Sequence, residues 1–151
     1  MIKTIALVAH DARKQELISW VRFNASAIKD CTLCCTGTTG RLVEEALREE
    51  IGDRCPQVIR KLSGPLGGDA QIGSMIAERK VDMLVFFCDN LIMQGHQNDV
   101  MSLVRLASLY NIPFATNRST ADYIITSPLF NDASYNRIIP SCIESYQNRK
   151  L

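Results

Sequence analysis

Short apolar runs alternate along the chain with longer segments of mixed polarity. The runs that predict strands are residues 3–9, 31–35, 58–62, 83–88 and 113–115. They are as short as typical strands and rich in β-branched or aromatic residues. The run 83–88 contains almost no polar residue, which is typical of a strand that is covered on both faces. A mainly parallel, buried sheet is therefore predicted.

The segments between these runs carry apolar residues at helical spacing. Asp11 is placed to cap a first helix that carries Leu17, Ile18, Trp20 and Val21. Further helical stripes are Val43, Ala46 and Leu47; Ile72, Met75 and Ile76; and Val100, Leu103, Val104, Ala107 and Tyr110. Alternating strands and helices predict an α/β fold, a single Rossmann-like three-layer sandwich with a five-stranded, mainly parallel sheet. No linker or repeat interrupts it, so one domain over residues 1–151 is expected.

Composition excludes several classes of partner. The 151 residues include 17 basic and 16 acidic side chains, for a formal net charge of +1. No Lys/Arg run exceeds two, which argues against binding to nucleic acid or to an anionic membrane. The amino-terminal apolar run is too short for a signal peptide, and the run 83–88 is too short to span a bilayer. We expect a soluble, cytoplasmic protein that binds a small molecule.

The six cysteines have irregular spacing, and several lie in strand-like runs, so buried free thiols are expected rather than disulfides. Cys31 and Cys34 have a metal-like spacing. A strand would, however, direct them to opposite faces, and the chain has no second cysteine pair. We therefore expect no metal ion.

Polar clusters follow the strands, at the edge where open parallel sheets bind ligands. After the first strand come His10, Asp11 and Lys14, and after the second comes the segment 36–40, Thr-Gly-Thr-Thr-Gly. The third strand leads into residues 62–69, Leu-Ser-Gly-Pro-Leu-Gly-Gly-Asp. Asp89 follows the fourth strand, ahead of a loop with His96 and Asp99. All of these clusters are predicted to meet on one rim.

The glycine-rich loop and the Thr-Gly-Thr-Thr segment have the composition of an anion cradle. Glycine amides can face an anion while Asp69 serves as a base, and a helix start with hydroxyls suits a phosphate monoester. Lys14 could supply the compensating charge. The alternatives are that Asp69 is only a helix N-cap, that Thr38 or Thr39 is only a cap, and that Lys14 is solvated.

His96 adds an imidazole to the rim, although a lone histidine is often structural, and Asp99 could be an ordinary N-cap. The Walker pattern and the Gly-x-Gly-x-x-Gly fingerprint are both missing from the sequence, which argues against nucleotide-driven and hydride-transfer chemistry. We expect no cofactor.

Together these motifs resemble the methylglyoxal synthase family. The resemblance is carried by residues 5–11 with Lys14, by 36–40, 62–71, 111–117 and 120–122, and by His96 with Asp99. It implies a carbon–oxygen lyase that converts dihydroxyacetone phosphate to methylglyoxal and inorganic phosphate, and it implies a homohexamer.

The resemblance also implies roles for individual residues. Asp69 would be the catalytic acid/base, with His96 and Asp99 beside it in the catalytic set and His10 in contact with the substrate. Asp11 and Asp89 would be supporting carboxylates. The residues that would hold the phosphate are Lys14, Thr36, Gly37, Thr38, Thr39, Ser63 and Gly64.

The sequence departs from the family pattern at Asn90 and Asn98, where prolines are expected, and both changes free the backbone near the rim. One rival interpretation is a phosphate-sensing regulatory domain of the same fold, which needs the cradle but no base. Asp69, His96 and Asp99 favour the enzyme. A plain scaffold would require every polar cluster on the rim to be structural at once.

Overall fold

Five parallel strands form one sheet in the computed structural model, which describes residues 3–91 and 97–150. The strands are β1 (Thr4–Ala9), β2 (Thr32–Cys35), β3 (Gln57–Arg60), β4 (Met83–Phe87) and β5 (Phe114–Ala115). Their order is β3-β2-β1-β4-β5, and each pair is parallel. The five predicted strands are confirmed, with ends that move by one or two residues.

Helices cover both faces of the sheet. They are α1 (Lys14–Phe23), α2 (Ala25–Ile28), α3 (Gly37–Ile51), α4 (Gly68–Ala77), α5 (Gln97–Leu109), α6 (Arg118–Thr126), α7 (Pro128–Asn131) and α8 (Ser141–Gln147). Short 3-10 helices span Asp11–Arg13, Gly52–Arg54 and Gly64–Leu66. No helix within residues 3–91 and 97–150 is long and apolar enough to cross a membrane.

The core has two layers, one on each face of the sheet. Ile5 and Leu7 of β1 face α1, α3 and α6, whereas Ala6 and Val8 face α4 and α5. This alternation along residues 5–9, which are all buried, agrees with the three-layer sandwich that the sequence predicted. Trp20 is completely buried in the first layer, and its indole N–H donates a hydrogen bond to Asp122 Oδ1 at 3.0 Å.

The cysteines follow the same division. Cys31 lies in the first core layer and Cys34 in the second, so their metal-like spacing does not bring the two thiols together. The expectation of burial is confirmed for four of the six, namely Cys31, Cys34, Cys35 and Cys88. It is wrong for Cys142, which is exposed on α8. Burial raises the pKa of the Cys31 thiol and of the Cys88 thiol to about 11 each.

The order of the strands reverses between β1 and β4. From β1 the chain moves outward to β2, and from β4 it moves outward to β5 on the other side. The carboxyl ends of these two strands therefore border a crevice, the usual ligand site of an open α/β sheet.

The prediction that Asp11 caps the first helix is wrong, because Asp11 begins a 3-10 helix and α1 starts three residues later.

Candidate active site

A cavity of about 490 Å3 opens at the carboxyl ends of the central strands. It brings together all the predicted catalytic, binding and supporting residues whose side chains are described. The lining includes His10, Asp11, Lys14, Thr36, Gly37, Thr38, Thr39, Ser63, Gly64, Asp69 and Asp89. His96 lies outside the described residues. Asp99 lies in α5, and its side chain is also outside the described part.

The first turn of α3 forms one wall of this cavity. Thr36 occupies the N-cap position with extended backbone angles, and α3 begins at Gly37. Thr38 and Thr39 therefore lie inside the helix, and the alternative that one of them is its cap is wrong. Their backbone N–H groups belong to the first turn, where a helix has no internal acceptors for them. These free donors favour an anion at the start of α3, and the positive end of the helix dipole favours it further.

The hydroxyl of Thr39 is the clearest sign of a missing partner. The residue is only 1% exposed, and its Oγ1 has no hydrogen-bond partner within the described residues. Leaving a buried hydroxyl unsatisfied costs about 1–3 kcal/mol. Such a group at a cavity wall suits a ligand that brings an acceptor oxygen.

Gly37 joins this wall to the glycine-rich loop. Its N–H donates a hydrogen bond to the Leu62 carbonyl at 3.1 Å. A Cβ built on Gly37 would lie 2.9 Å from Ser63 Oγ, so the loop packs directly against the start of α3. The two predicted halves of the cradle are therefore adjacent.

The loop then turns sharply into α4. The Ser63 carbonyl accepts hydrogen bonds from the N–H groups of Leu66 and Gly68, both at 3.0 Å. Gly67 has φ +100°, a left-handed conformation that favours glycine, and it occupies the N-cap position of α4. Asp69 is half-buried in the first turn and lines the cavity. The alternative that Asp69 is the N-cap is wrong.

Lys14 is less solvated than a first-turn surface lysine. Its side chain is 17% exposed, and its ammonium pairs with the carboxylate of Asp11, which is almost fully exposed. Nζ also lies 3.5 Å from the Ala9 carbonyl oxygen. This places a positive charge at the end of β1, beside the cavity.

His10 and Asp89 meet across the crevice between β1 and β4. The backbone N–H of Asp89 donates a hydrogen bond to His10 Nδ1 at 2.9 Å. A ring nitrogen that accepts from an N–H carries no proton, so this contact favours the neutral imidazole tautomer of His10 with its proton on Nε2. Asp89 Oδ1 in turn accepts from the Leu91 N–H at 3.1 Å, which closes a turn around Asn90 without a proline.

The sequence interpretation missed three residues around this site. Phe86 lines the cavity and packs edge-on against His10 with ring centroids 5.2 Å apart. Gln71 Oε1 accepts from the Leu62 N–H at 2.9 Å and so supports the glycine-rich loop. Arg13 donates to the Cys88 carbonyl at 3.0 Å. Strand alternation could have indicated Phe86, but the other two have no local signal.

Comparison with known proteins agrees with this geometry. The model of the MGS-like domain family matches residues 16–116. Methylglyoxal synthase of Pseudoalteromonas atlantica is 50% identical, over 93% of this chain and 98% of that protein. The chain belongs to the methylglyoxal synthase family. Methylglyoxal synthase of Maridesulfovibrio salexigens is 45% identical, over 99% of this chain and 98% of that protein.

A solved member of the methylglyoxal synthase family has the same fold. The crystal structure of methylglyoxal synthase from Elizabethkingia anophelis superposes with a TM-score of 0.84 at 42% identity. The match covers 99% of this chain and 93% of that one. The predicted α/β sandwich is confirmed, and the sheet is parallel throughout.

Proposed function

We propose that the chain is a carbon–oxygen lyase that converts dihydroxyacetone phosphate to methylglyoxal and inorganic phosphate. The observation that carries the proposal is that Asp69 lines one cavity with Thr39, whose buried hydroxyl has no hydrogen-bond partner within the described residues. A carboxylate base and a phosphate cradle are the two elements that this elimination requires. The names of the full-length relatives support the same activity.

The phosphate end of the substrate binds between α3 and the glycine-rich loop. The first-turn amides of α3 and the Thr39 hydroxyl donate to its oxygens, and Ser63 and Gly64 close the other side. The Lys14 ammonium adds the positive charge that a dianion needs, and Thr36, Gly37 and Thr38 complete the wall. A phosphate bound there competes with Asp11 for Lys14.

Asp69 starts the reaction as a general base. Its carboxylate takes a proton from the hydroxyl-bearing carbon beside the carbonyl, and the C–H electrons form the double bond of an enediolate. The half-buried position of Asp69 in the wall of the cavity partly shields its carboxylate from water. General-base catalysis of this kind contributes roughly 10²- to 10⁴-fold to a rate.

Negative charge then develops on the former carbonyl oxygen, and preorganised donors there are usually the largest electrostatic contribution. We assign this role to His96, oriented by Asp99. His10, which is neutral and protonated on Nε2, supplies a second donor to the substrate. A neutral imidazole suits this role, because it donates a hydrogen bond to the developing oxyanion without having to carry a positive charge itself.

The phosphate cradle decides the fate of the enediolate. Reprotonation would give an isomerase, whereas elimination requires the C–O bond to stand perpendicular to the enediolate plane. Lys14 and the first turn of α3 hold the bridging oxygen out of that plane. The hydroxyl on the deprotonated carbon then passes its proton to the departing phosphate and becomes the aldehyde carbonyl, the enediolate double bond shifts to the carbon that carries the phosphate, and the C–O bond to phosphate breaks with both electrons leaving on phosphate. Asp69 returns the proton it took to the terminal carbon of the resulting enolate, which gives methylglyoxal.

A product assay tests the proposed function. The purified chain is incubated with dihydroxyacetone phosphate, and methylglyoxal and inorganic phosphate are measured in the same samples. We expect the two to appear in equal amounts at a rate proportional to enzyme concentration. The proposal is overturned if neither product exceeds the no-enzyme reaction at high enzyme concentration, or if only glyceraldehyde 3-phosphate forms.

We further infer that residues 1–151 form one domain. We also infer that the protein works in the cytoplasm and that it assembles as a homohexamer. The irregular spacing of the six cysteines and the burial of four of them fit free thiols, which are usual in the cytoplasm. Exposed apolar side chains support assembly, including Leu66 at 70%, Leu91 at 94% and Met101 at 64% exposure. Light scattering during size-exclusion chromatography measures the assembly, and a mass other than six chains would contradict it.

A further inference from the structure

Arg13 is not among the residues that line the active-site cavity, although its neighbours Ala12 and Lys14 are. Its guanidinium is braced by Glu16, because Nε and Nη2 reach the same carboxylate oxygen at 2.7 Å and 2.5 Å. The remaining arm, Nη1, donates to the Cys88 carbonyl oxygen at 3.0 Å. The Arg13 side chain is 28% exposed and Cys88 is 2% exposed, so this contact is partly shielded from water.

The Cys88 carbonyl belongs to the same peptide unit as the N–H of Asp89. That N–H is the group that donates to His10 Nδ1 at 2.9 Å. Because a peptide unit is planar, fixing its oxygen also fixes the direction of its N–H. A charged donor on the carbonyl also polarises the peptide and strengthens its N–H as a donor.

The orientation of this peptide favours one tautomer of His10, because its N–H faces Nδ1. If the peptide flipped, its carbonyl would face the ring and would favour a proton on Nδ1. The flip would also remove the acceptor that Arg13 uses, leaving a partly buried guanidinium arm without a partner. Arg13 therefore opposes the flip. Glu16 lies three residues after Arg13, on the same face of the helical turn, and so holds the guanidinium in this orientation.

We propose that Arg13, braced by Glu16, is a positioning residue that acts through the Cys88–Asp89 peptide to hold His10 in its Nε2-protonated tautomer. The catalytic consequence rests on the proposed function, whereas the tautomer itself does not. Arg13 does not touch the substrate. Its effect is to keep the His10 Nε2–H donor in place before the substrate arrives.

The tautomer is measured by nitrogen-15 NMR of the imidazole rings. The chain has two histidines, so a His96→Gln background leaves His10 as the only signal. In this background we expect a neutral ring with an unprotonated, hydrogen-bonded Nδ1 and a proton on Nε2. Arg13→Met should shift the His10 nitrogens toward an average of the two tautomers. Arg13→Lys keeps a charged donor but loses the planar guanidinium that contacts Glu16 and Cys88 together. It should recover part of the wild-type nitrogen shifts of His10.

The kinetic measurement uses the chain with both histidines. Arg13→Met should lower kcat by about 10- to 100-fold, the usual range for misplacing a group that acts in catalysis. The KM for dihydroxyacetone phosphate should change much less, because the phosphate cradle is untouched. The matched control is Arg48→Met, which also removes a cationic partner of a glutamate on a helix, here Glu44 on α3. It should leave the spectrum and kcat unchanged.

An unchanged His10 spectrum in folded Arg13→Met overturns the proposal, whatever happens to kcat. If Arg13→Met does not fold, Glu16→Gln decides, because loss of the brace should move the same signals in the same direction. Unchanged signals in Glu16→Gln then overturn the proposal. If the wild-type chain makes no methylglyoxal, the proposed function fails, while the spectra still decide the role of Arg13.

Discussion

Gly68 lies directly against the carbonyl oxygen of Leu62. A Cβ built on Gly68 would be 1.8 Å from that oxygen, a distance at which the backbone itself would have to move. This close approach lets the chain fold back so that the Ser63 carbonyl accepts from both Leu66 and Gly68. It also places the next residue, Asp69, in the first turn of α4 at the cavity.

Gly68→Ala should therefore destabilise the protein. Because the clash is with backbone rather than with a flexible side chain, we expect a loss of about 1–3 kcal/mol in the free energy of unfolding. Urea denaturation measures this change. Gly64→Ala is the matched control, since nothing lies within 4 Å of a Cβ at that position, and its stability should change by less than about 0.5 kcal/mol. Equal losses in the two variants would contradict the account of the loop.

Thr39→Val should separate stability from ligand binding. The substitution keeps the shape of the side chain and removes a buried hydroxyl that has no partner among the described residues, so the free energy of unfolding should stay the same or rise. Binding of inorganic phosphate should weaken about tenfold, which is the value of one hydrogen bond to a charged group. Calorimetric titration and urea denaturation measure the two effects.

Thr126→Val is the control for this pair of effects. Thr126 is exposed on α6, and its hydroxyl donates to the Asp122 carbonyl at 2.7 Å. Its loss should slightly lower stability and leave phosphate binding unchanged. Thr39→Val with lower stability and normal phosphate binding would mean that the Thr39 hydroxyl has a structural role only.

The buried thiols should make stability fall at alkaline pH. The pKa of Cys31 and of Cys88 is raised from 9.0 to about 11 by burial. Between these values the unfolded chain has released the thiol protons and the folded chain still holds them. The free energy of unfolding should therefore fall as pH rises from 9 to 11, by up to about 1 kcal/mol per pH unit for each thiol.

Urea denaturation across this pH range, compared between variants, isolates the thiols from other groups that titrate there. The Cys31→Ala, Cys88→Ala double variant should lose stability less steeply with pH than the wild type. Cys142→Ala removes an exposed thiol and should keep the wild-type slope. A double variant with the wild-type slope would mean that these two thiols do not control the alkaline loss.

The sequence predicted the strands well because burial on both faces leaves long apolar runs, as in β4. It located the start of α3 within residues 36–40, but its cap for the first helix, Asp11, and its alternative cap, Asp69, are wrong. Asp11 and Asp69 have typical cap side chains, but each lies inside the turn that follows a different N-cap residue, and that choice depends on backbone angles such as the positive φ of Gly67. The cradle residues were predictable, because the loops that follow parallel strands all lie at the carboxyl edge of the sheet.

Contacts between distant segments were not predictable. The bond from the Asp89 N–H to His10 joins residues 79 positions apart, and the contact of Arg13 with Cys88 spans 75. Neither leaves a local pattern of charge or spacing, because each depends on how β1 and β4 end side by side. The same holds for Gln71, whose role is set by the path of the loop rather than by its own helix.

The role of Asp69 is the centre of the proposed chemistry, and the Asp69→Asn variant tests it most directly. The substitution keeps the size of the side chain and removes the base. The measurement is the rate at which methylglyoxal and phosphate form from dihydroxyacetone phosphate, with phosphate binding by calorimetry as the check that the cavity is intact. We predict that turnover falls by about 10²- to 10⁴-fold while phosphate still binds at least as tightly as in the wild type. A folded Asp69→Asn protein with wild-type turnover would contradict the account, because the proton would then be removed by another residue.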